Sequence, residues 1–470
     1  MKEMRRNIRI LGILLLCCFI GTGGWFGYTV YSQGSRWMMN SSNTRLNEAK
    51  SKVDMGSITD VNGVVLAYTD SEGNRQYNED KYTRRAMSQT VGDTMGMSGT
   101  GVEVFHSGTL LGFSGNLVDR VWQWLKGETY KGENIRLTVD SQLSRYISRA
   151  FPDGKRGAVV VMNYKTGEIM SMVSKPDYDP NNLSNRSSSE TEDTAYLNRV
   201  LQGQYAPGSV MKIVTTAAAL ENINGITRRT FTCDGEAIFG DGKVTDAGNA
   251  VHGEIDLMTA FKKSCNITYA GITYELGLDK LLKTAEQMGF NDNFSFRDII
   301  LYESSLPEDT TEVSELVWSG VGQGRVLVTP LHMCMIAGSV ANGGNMMEPQ
   351  LIDAITGVGG IERFRTSTGV YRRAMSEETA QVIKQYMAET VLSGTATAAQ
   401  IEGYTVCGKT GSAETSDDKS VETNAWFVGF IDDEEHPYCV AVVVEQGGSG
   451  GRVAAPLAKK ALQKAIELNS

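Results

Sequence analysis

The feature that most constrains this chain is a long stretch near its N-terminus without any charged residue. From Ile10 to Ser35 no Asp, Glu, Lys or Arg occurs, whereas residues 1–9 carry four basic side chains and one acidic side chain. As a helix, residues 10–31 would be about 33 Å long, which matches a hydrocarbon core about 30 Å thick. The sequence therefore predicts a transmembrane anchor over residues 10–31, followed by a large body that folds in water.

The charge pattern predicts the orientation of this anchor. Basic residues before an apolar segment favour a cytoplasmic tail, here residues 1–9, with the rest of the chain outside the cell. A cleaved signal peptide is the alternative, but the run is long and no A-x-A-like site closes it. Lipid attachment at Cys17 or Cys18 is disfavoured because large residues flank both, so we place them within the helix.

Composition removes several classes of function. With 45 Lys and Arg against 55 Asp and Glu, the net charge of −10 argues against nucleic acid as the main partner. The four His are scattered and form no recognised metal motif, so neither a metal nor a Ser-His-Asp triad is expected. Outside the anchor the number of Cys is odd, without tight spacing, and we predict no structural disulfide.

Hydrophobic periodicity divides the body into a membrane-proximal module, residues 37–150, and a larger part, residues 151–470. In the module, residues 58–68 are predicted to form a strand or a hairpin, and residues 86–100 a loop. Residues 135–139 are predicted to form a strand, and residues 117–125 and 142–150 helices. In the larger part, strands are predicted at 157–162, 169–173, 407–413, 425–431 and 438–444. Helices are predicted there at 208–220, 255–276, 278–288, 329–342, 376–392 and 456–468. Strands at both ends of a helical middle indicate an α+β fold.

One candidate nucleophile stands at the start of a predicted helix. Ser209 follows a Pro-Gly pair and Lys212 lies one turn further along the same face. A serine hydroxyl needs a base to remove its proton, and lysine serves only when burial or a second cation keeps it neutral. By its local context alone Ser209 could be a simple N-cap, and the acidic segment 416–419 has the same S-x-x-K spacing.

Two further motifs raise the weight of this interpretation. Ser264-Cys265-Asn266 lies in a predicted helical region, and Lys409-Thr410-Gly411-Ser412 lies on a predicted strand. Each has a counterpart elsewhere: residues 114–116 fit S-x-N, and Lys165-Thr166-Gly167 fits K-T-G at a predicted turn. Cys265 and Cys407, beside the motifs, are read as packing residues, as is Trp426, whereas 322–324 is read as a loop lining a cleft.

In the order Ser209, Ser264, Lys409, the three motifs resemble those of penicillin-binding proteins and β-lactamases. Residues 157–470 are similar throughout to the transpeptidase domain of class B penicillin-binding proteins. Matching stretches are 165–169, 207–220, 322–324, 328–330, 341–344, 394–396, 408–414 and 425–430. Residues 37–150 resemble the family's short pedestal more loosely, since Met55 and Val61 stand where the family has arginines.

The resemblance implies a specific fold and activity. The fold would be an antiparallel five-stranded sheet flanked by helices, with a helical subdomain, a smaller N-terminal pedestal and one transmembrane helix. The activity would be that of a monofunctional peptidoglycan D,D-transpeptidase, a cell-wall enzyme inhibited by β-lactams. No metal or organic cofactor would be required.

By the same resemblance, five residues would carry the acyl transfer. Ser209 would attack the penultimate D-Ala carbonyl of a stem peptide and release the terminal D-Ala, with Lys212 as the base. Ser264 and Lys409 would pass a proton to the leaving amine. Asn266 would orient Lys212 and bind the substrate amide.

Three residues of the last motif would hold the substrate. The hydroxyls of Thr410 and Ser412 would bind the terminal carboxylate together with the Lys409 charge, and Gly411 would allow the ligand backbone to approach. The backbone N–H groups of Ser209 and Ser412 would form the oxyanion hole.

Several alternatives use the same motifs. A D,D-carboxypeptidase or a β-lactamase would transfer the acyl group to water, and a β-lactam sensor would be acylated without turnover. The anchor, the pedestal and the long separation of Ser264 from Lys409 favour the transpeptidase over the first two. A sensor would need a signalling module, which the nine residues predicted inside the membrane do not offer. Since about 120 residues between the anchor and residue 157 are too few for a glycosyltransferase domain, a separate multi-span glycosyltransferase is the partner that the resemblance implies.

Overall fold

The structure is a computed structural model that describes residues 2–38, 53–113, 130–183, 194–310, 312–357, 360–416, 418 and 420–469. The helix predicted at 117–125 and the S-x-N counterpart at 114–116 lie outside these residues. Two positions of the S-x-x-K counterpart, Asp417 and Lys419, also lie outside them.

The first described element is a helix, α1 (Lys2–Met38). Its segment Arg6–Thr29 is long and apolar enough to cross a membrane, with a mean hydropathy of 2.0 and no part packed against the body. A helix of 24 residues covers about 36 Å at ~1.5 Å per residue, more than the hydrocarbon thickness. The helix fits the predicted anchor over residues 10–31.

Strands make up two main sheets and several two-stranded pairs. Their bounds are β1 (Val53–Asp54), β2 (Ile58–Thr59), β3 (Val65–Thr69), β4 (Arg75–Tyr77), β5 (Tyr130–Lys131), β6 (Asn134–Leu137), β7 (Gly157–Asn163), β8 (Ile169–Lys175), β9 (Thr230–Cys233), β10 (Glu236–Phe239), β11 (Gly242–Thr245), β12 (Gly253–Asp256), β13 (Asn345–Met347), β14 (Ile352–Thr356), β15 (Glu362–Arg365), β16 (Val370–Arg373), β17 (Val406–Ala413), β18 (Asn424–Ile431) and β19 (Tyr438–Val444).

Helices surround these sheets. Beyond α1 they are α2 (Lys81–Ala86), α3 (Ser88–Val91), α4 (Val102–Phe105), α5 (Ser107–Leu110), α6 (Ser141–Ala150), α7 (Arg199–Gln202), α8 (Lys212–Asn222), α9 (Leu257–Lys263), α10 (Asn266–Gln287), α11 (Val313–Val321), α12 (Pro330–Ala341), α13 (Glu377–Ser393) and α14 (Ala455–Asn469). Short 3₁₀ turns include Gly208–Met211 and Thr397–Ala399, and a π-helical turn spans Gly450–Ala454.

The central sheet has five antiparallel strands in the order β17-β18-β19-β7-β8. Along β7, Val159 and Val161 join the core under α6 and α14, while Ala158, Val160 and Met162 join the core that contains α12. Since successive side chains of a strand point to opposite faces, helices on both faces bury every residue of β18 and β19. The predicted five-stranded antiparallel sheet is confirmed, and β17 is one of its edges.

A second sheet of six strands lies toward the N-terminal part, in the order β15-β14-β6-β2-β3-β4. The predicted hairpin is present as the antiparallel pair β2–β3, and β6 pairs with β2 in parallel. Strands β14 and β15 come from residues 352–365 and complete this sheet through β6. The sheet therefore joins both parts of the chain, although the division at residue 150 stays a prediction.

Two local predictions are wrong. The helix expected from residue 255 begins only at Leu257, after strand β12, and it ends at Lys263 before α10 begins at Asn266. Residues 86–100 were expected to be loop, but Ser88–Val91 form a buried helical turn. In both places tertiary packing overrides a weak local pattern.

Candidate active site

Ser209 lies in the 3₁₀ turn Gly208–Met211, which runs directly into α8. This turn is fixed from outside, because the Gly208 N–H donates to the Gly322 carbonyl at 2.8 Å. Gly322 ends α11 with a φ of 92°, and a Cβ there would meet the Gly208 carbonyl oxygen at 2.0 Å. Only glycine fits at this contact, so the segment 322–324 supports the serine turn as well as lining the cleft.

Lys212, the first residue of α8, is fully buried beneath that turn. Its Nζ donates to the Ser264 carbonyl at 2.6 Å, to Asn266 Oδ1 at 2.7 Å and to the Ser264 hydroxyl at 3.3 Å. The Tyr269 ring lies 5.3 Å from the ammonium. Burial lowers the pKa of Lys212 to about 8, against the opposing charge of Asp246. A neutral amine is therefore accessible at this position near neutral pH.

Ser264 is the residue that links the two motif lysines. It caps α9 in the left-handed region, with a φ of 63°, and so breaks the helix that the sequence predicts here. A non-glycine residue rarely adopts this conformation unless its surroundings hold it there. The turn directs its hydroxyl to Lys409 Nζ at 2.8 Å and its carbonyl to Lys212.

Asn266 begins α10, and both the oxygen and the nitrogen of its side-chain amide form hydrogen bonds. Its Oδ1 accepts from Lys212, and its Nδ2 donates to the Thr245 carbonyl at 3.1 Å. The backbone N–H donates to Asp246 Oδ1 at 3.0 Å. This arrangement fixes Asn266 as a partner of Lys212.

Lys409 reaches the same point from the edge strand β17. It is fully buried, and its Nζ donates to the Ser264 hydroxyl and to the Thr410 carbonyl at 3.0 Å. Burial first, and the Lys212 charge second, hold the pKa of Lys409 well below its ordinary value. The Ser264 hydroxyl thus stands between two buried lysines, and the nearby Lys212 charge disfavours the charged form of Lys409.

The rest of the motif faces the cleft beside Lys409. The Thr410 hydroxyl lies 2.6 Å from the Thr395 hydroxyl, and the Ser412 hydroxyl accepts from the Gly450 N–H at 3.2 Å. A Cβ on Gly411 would meet the Pro207 carbonyl oxygen at 2.9 Å. The missing side chain at 411 therefore lets the serine turn pack against β17, in addition to the ligand approach that we expected.

A cleft of about 600 Å³ opens over these groups. Its walls include the motif residues Ser209, Ser264, Asn266, Thr410, Gly411 and Ser412. Beside it, a second cleft of about 530 Å³ shares Trp318, Gln323 and Glu414 with the first. Trp318, Gln323 and Glu414 therefore lie between the cleft that contains Ser209 and the second cleft.

The sequence interpretation missed Thr395, Asp246 and Tyr269. Thr395 lies within the matching stretch 394–396, so a signal for it existed. Asp246 and Tyr269 lie in no motif and act through Asn266 and Lys212. Only the fold brings them to the site.

The structure also places the second K-T-G segment, Trp426 and the cysteines. Lys165-Thr166-Gly167 forms the turn between β7 and β8, with an exposed lysine, as predicted. Trp426 is fully buried and its Nε1 donates to the Ala206 carbonyl at 3.1 Å, which confirms a core role. The seven cysteines are free thiols.

The fold and the arrangement of the three motifs are those of the acyltransferase class to which penicillin-binding proteins belong. The family model described as "Penicillin binding protein transpeptidase domain" matches residues 157–463 of this chain. The chain belongs to this family.

Relatives agree with this assignment across most of the chain. The peptidoglycan D,D-transpeptidase PbpA of Mycolicibacterium smegmatis is 30% identical over 445 residues, covering 88% of this chain and 89% of its own length. The ceftriaxone acyl-enzyme complex of penicillin-binding protein A from M. tuberculosis superposes with a TM-score of 0.80 at 26% identity, covering 90% of this chain and 100% of that one. A D,D-transpeptidase domain from Eggerthella lenta gives 0.76 at 28% identity, covering 89% and 99%. These neighbours confirm the predicted family and fold class.

Proposed function

We propose that this protein is a peptidoglycan D,D-transpeptidase that works through an acyl-enzyme on Ser209. The observation that carries the proposal is the chain of contacts from Lys212 through the Ser264 hydroxyl to Lys409, below a cleft that contains Ser209. Both lysines are fully buried, which is the condition for a lysine to act as a base.

Acylation uses Lys212 as the base. Its neutral amine takes the proton of the Ser209 hydroxyl as Oγ bonds to the penultimate D-Ala carbonyl carbon. The tetrahedral oxyanion is stabilised by backbone N–H groups of Ser209 and Ser412, of which the first is near the start of a 3₁₀ turn, where N–H groups lack helical partners.

The terminal D-Ala leaves once its amine receives a proton. Lys409 and Ser264, joined at 2.8 Å, deliver a proton to the amine of the terminal D-Ala as its C–N bond breaks. Thr410, Ser412 and the Lys409 charge bind the terminal carboxylate, and Thr395 orients the Thr410 hydroxyl. Asn266 keeps Lys212 in place and binds the substrate amide.

The second half-reaction restores the serine. An amine of a neighbouring stem peptide attacks the acyl carbon, the new amide forms, and the ester bond to Ser209 Oγ breaks as Oγ regains its proton. The adjoining cleft with Trp318, Gln323 and Glu414 offers the acceptor a route to the ester. A β-lactam takes the place of the donor and leaves Ser209 acylated.

Placement at the membrane follows from α1. We propose that residues 1–9 are cytoplasmic and that the catalytic part is extracellular, because the basic side chains precede the apolar segment. A separate multi-span glycosyltransferase would supply the glycan strands, contacting the anchor and the pedestal. Protease added to intact protoplasts should remove a C-terminal tag and spare an N-terminal one.

A turnover assay tests the proposed reaction. The full-length chain in detergent is given a D-Ala-D-Ala stem-peptide donor and an amine acceptor, and products are separated by mass spectrometry. We expect the cross-linked amide to dominate and to vanish in Ser209→Ala. A product formed only by hydrolysis would instead indicate a carboxypeptidase.

A further inference from the structure

We propose that Lys263 binds the terminal carboxylate of the donor peptide, and the equivalent carboxylate of a β-lactam, in the cleft that contains Ser209. This inference rests on the proposed function and adds a binding residue that lies outside the three motifs. Lys263 ends α9 directly before Ser264, and it lines the cleft. The residue is exposed, so its ammonium group carries a positive charge at neutral pH.

The charges in the walls of the cleft single out this lysine. Among the described residues that line the cleft, Lys263 is the one cation, and the other charged residues are Asp246 and Glu414. Asp246 is only 4% exposed, and its carboxylate accepts from the N–H groups of Asn266 and Ala247. A carboxylate that enters the cleft therefore meets its exposed attractive charge at Lys263.

Lys409 supplies less charge to the cleft than its place in the motif suggests. It is fully buried, and its Nζ donates to the Ser264 hydroxyl and to the Thr410 carbonyl. Burial first, and the charge of Lys212 second, hold the pKa of Lys409 well below its ordinary value, which disfavours its charged form. The hydroxyls of the last motif can hydrogen-bond a carboxylate, but they carry no charge. An exposed cation beside them would strengthen the binding of an anion.

Lys263 lies on the side of the cleft where the terminal carboxylate is expected. Among the described wall residues, Lys263 and Thr395 line this cleft and not the second one, and the Thr395 hydroxyl lies 2.6 Å from the Thr410 hydroxyl. Glu414 instead lines both clefts, so its negative charge lies toward the proposed acceptor route. The wall charges thus match an anionic donor terminus and an amine acceptor.

The Lys263 ammonium is available for a ligand, whereas that of its neighbour is not. No hydrogen bond or ion pair to the Lys263 ammonium occurs among the residues that the structure describes. The Lys262 Nζ donates to Ser393 Oγ at 3.3 Å, and a Cβ on Gly394 would meet Lys262 Cγ at 2.6 Å. Lys262 does not belong to the described walls of the cleft. The two lysines therefore form a matched pair for comparison.

The rate of acylation measures the contribution of the Lys263 charge. The full-length chain in detergent is acylated by benzylpenicillin, beside Lys263→Gln, Lys263→Arg and the control Lys262→Gln. We expect the second-order rate to fall about three- to tenfold in Lys263→Gln and to stay within about twofold of the wild type in the other two. Added salt should slow the wild type more than Lys263→Gln, because salt screens this charge. Equal rates in Lys263→Gln and Lys262→Gln would overturn the proposal.

A binding measurement identifies the carboxylate and does not depend on the acylation step. In Ser209→Ala, the affinity for N-acetyl-D-Ala-D-Ala, whose one carboxylate is terminal, is compared with the affinity for its C-terminal amide. We expect the acid to bind about three- to tenfold more tightly, and the added change Lys263→Gln to remove most of this difference. A preference for the acid that is unchanged by Lys263→Gln would overturn the assignment to the terminal carboxylate.

The outcomes separate this proposal from the proposed function. A wild type that benzylpenicillin never acylates would count against Ser209 as the nucleophile, and peptide binding in Ser209→Ala would still decide the role of Lys263. A wild type that is acylated no faster than Lys263→Gln would overturn the role of Lys263 and leave the proposed function intact.

Discussion

At the scale of single residues, the proposed chemistry depends on two buried lysines that meet at one hydroxyl. Lys212 and Lys409 both contact the Ser264 hydroxyl, and no carboxylate among the described residues hydrogen-bonds to either Nζ. Burial disfavours the charged form of an ammonium group and so lowers its pKa. We propose that this burial makes Lys212 usable as the base.

The pKa of Lys212 predicts how acylation depends on pH. Because the protonated amine cannot accept the Ser209 proton, the acylation rate should rise as pH increases through about 8 and then level off. The measurement is the second-order rate of benzylpenicillin acylation across this range, with protein stability followed in parallel. A rate that falls through the same range would exclude Lys212 as the base.

Thr395 is predicted to matter although it lies outside the three motifs. Thr395→Val removes the hydroxyl that contacts Thr410 and keeps the side-chain shape. A hydrogen bond of this kind contributes about 0.5–1.5 kcal/mol, so the acylation efficiency should fall by up to about tenfold. Thr397→Val, an exposed neighbour, is the control and should match the wild type. Equal losses of acylation efficiency in the two variants would show that the Thr395 hydroxyl makes no specific contribution to the site.

At the scale of elements, the contact between the end of α11 and the serine turn leaves no space for a side chain at residue 322. Gly322 and Gly324 both have positive φ, 92° and 76°, but only a Cβ at 322 would meet backbone, whereas one at 324 meets nothing within 4 Å. Alanine at 324 would therefore report the effect of backbone strain alone, whereas alanine at 322 would add a steric clash.

We predict that Gly324→Ala lowers stability by about 1–2 kcal/mol and leaves acylation nearly unchanged. Gly322→Ala should lose more stability and also slow acylation at least tenfold, because the Gly208 carbonyl and hence Ser209 must shift. Thermal unfolding and fluorescent-penicillin labelling measure the two effects. Identical behaviour of the variants would show that the contact does not position Ser209.

Some of these elements could be predicted from the sequence alone, and others could not. The strands β7, β18 and β19 were predictable because continuous apolar runs mark strands buried on both faces. The cap of α13 was predictable too, since Ser376 accepts from the Thr379 N–H.

What escaped prediction depends on contacts between distant segments. The left-handed turn at Ser264 is held by two lysines that are remote in sequence. The addition of β14 and β15 to the N-terminal sheet is a long-range pairing, and Cys233, Asp246, His252 and Cys265 meet from four separate segments. Neither local periodicity nor turn chemistry carries information of this kind.

At the scale of the whole molecule, charged contacts join the N-terminal part to the segment after β8. Arg84 contacts Asp179 through two parallel bonds of 2.7 and 2.8 Å, and Arg85 contacts Asp177. The Arg84 and Asp179 side chains are only 12% and 15% exposed. The Arg84 guanidinium lowers the pKa of Asp179, which shows that the pair favours the charged form.

Asp179→Asn should therefore destabilise the protein by about 1–3 kcal/mol, since a bidentate, mostly buried ion pair loses one charge. Glu467→Gln, which disrupts an exposed pair with Lys464, is the control and should change stability by less than about 1 kcal/mol. Denaturant unfolding of the full chain measures both. Equal losses would mean that the contact does not hold the two parts together.

The intact mass of the protein after exposure to a β-lactam shows whether Ser209 is the acylated nucleophile. The full-length chain and its Ser209→Ala variant are each mixed with benzylpenicillin, and the intact mass of each protein is measured over time. We predict a lasting mass gain equal to the whole drug in the wild type and none in the variant. A lasting adduct that persists in Ser209→Ala would place the nucleophile elsewhere, and drug loss without any retained adduct would contradict a slowly deacylating transpeptidase.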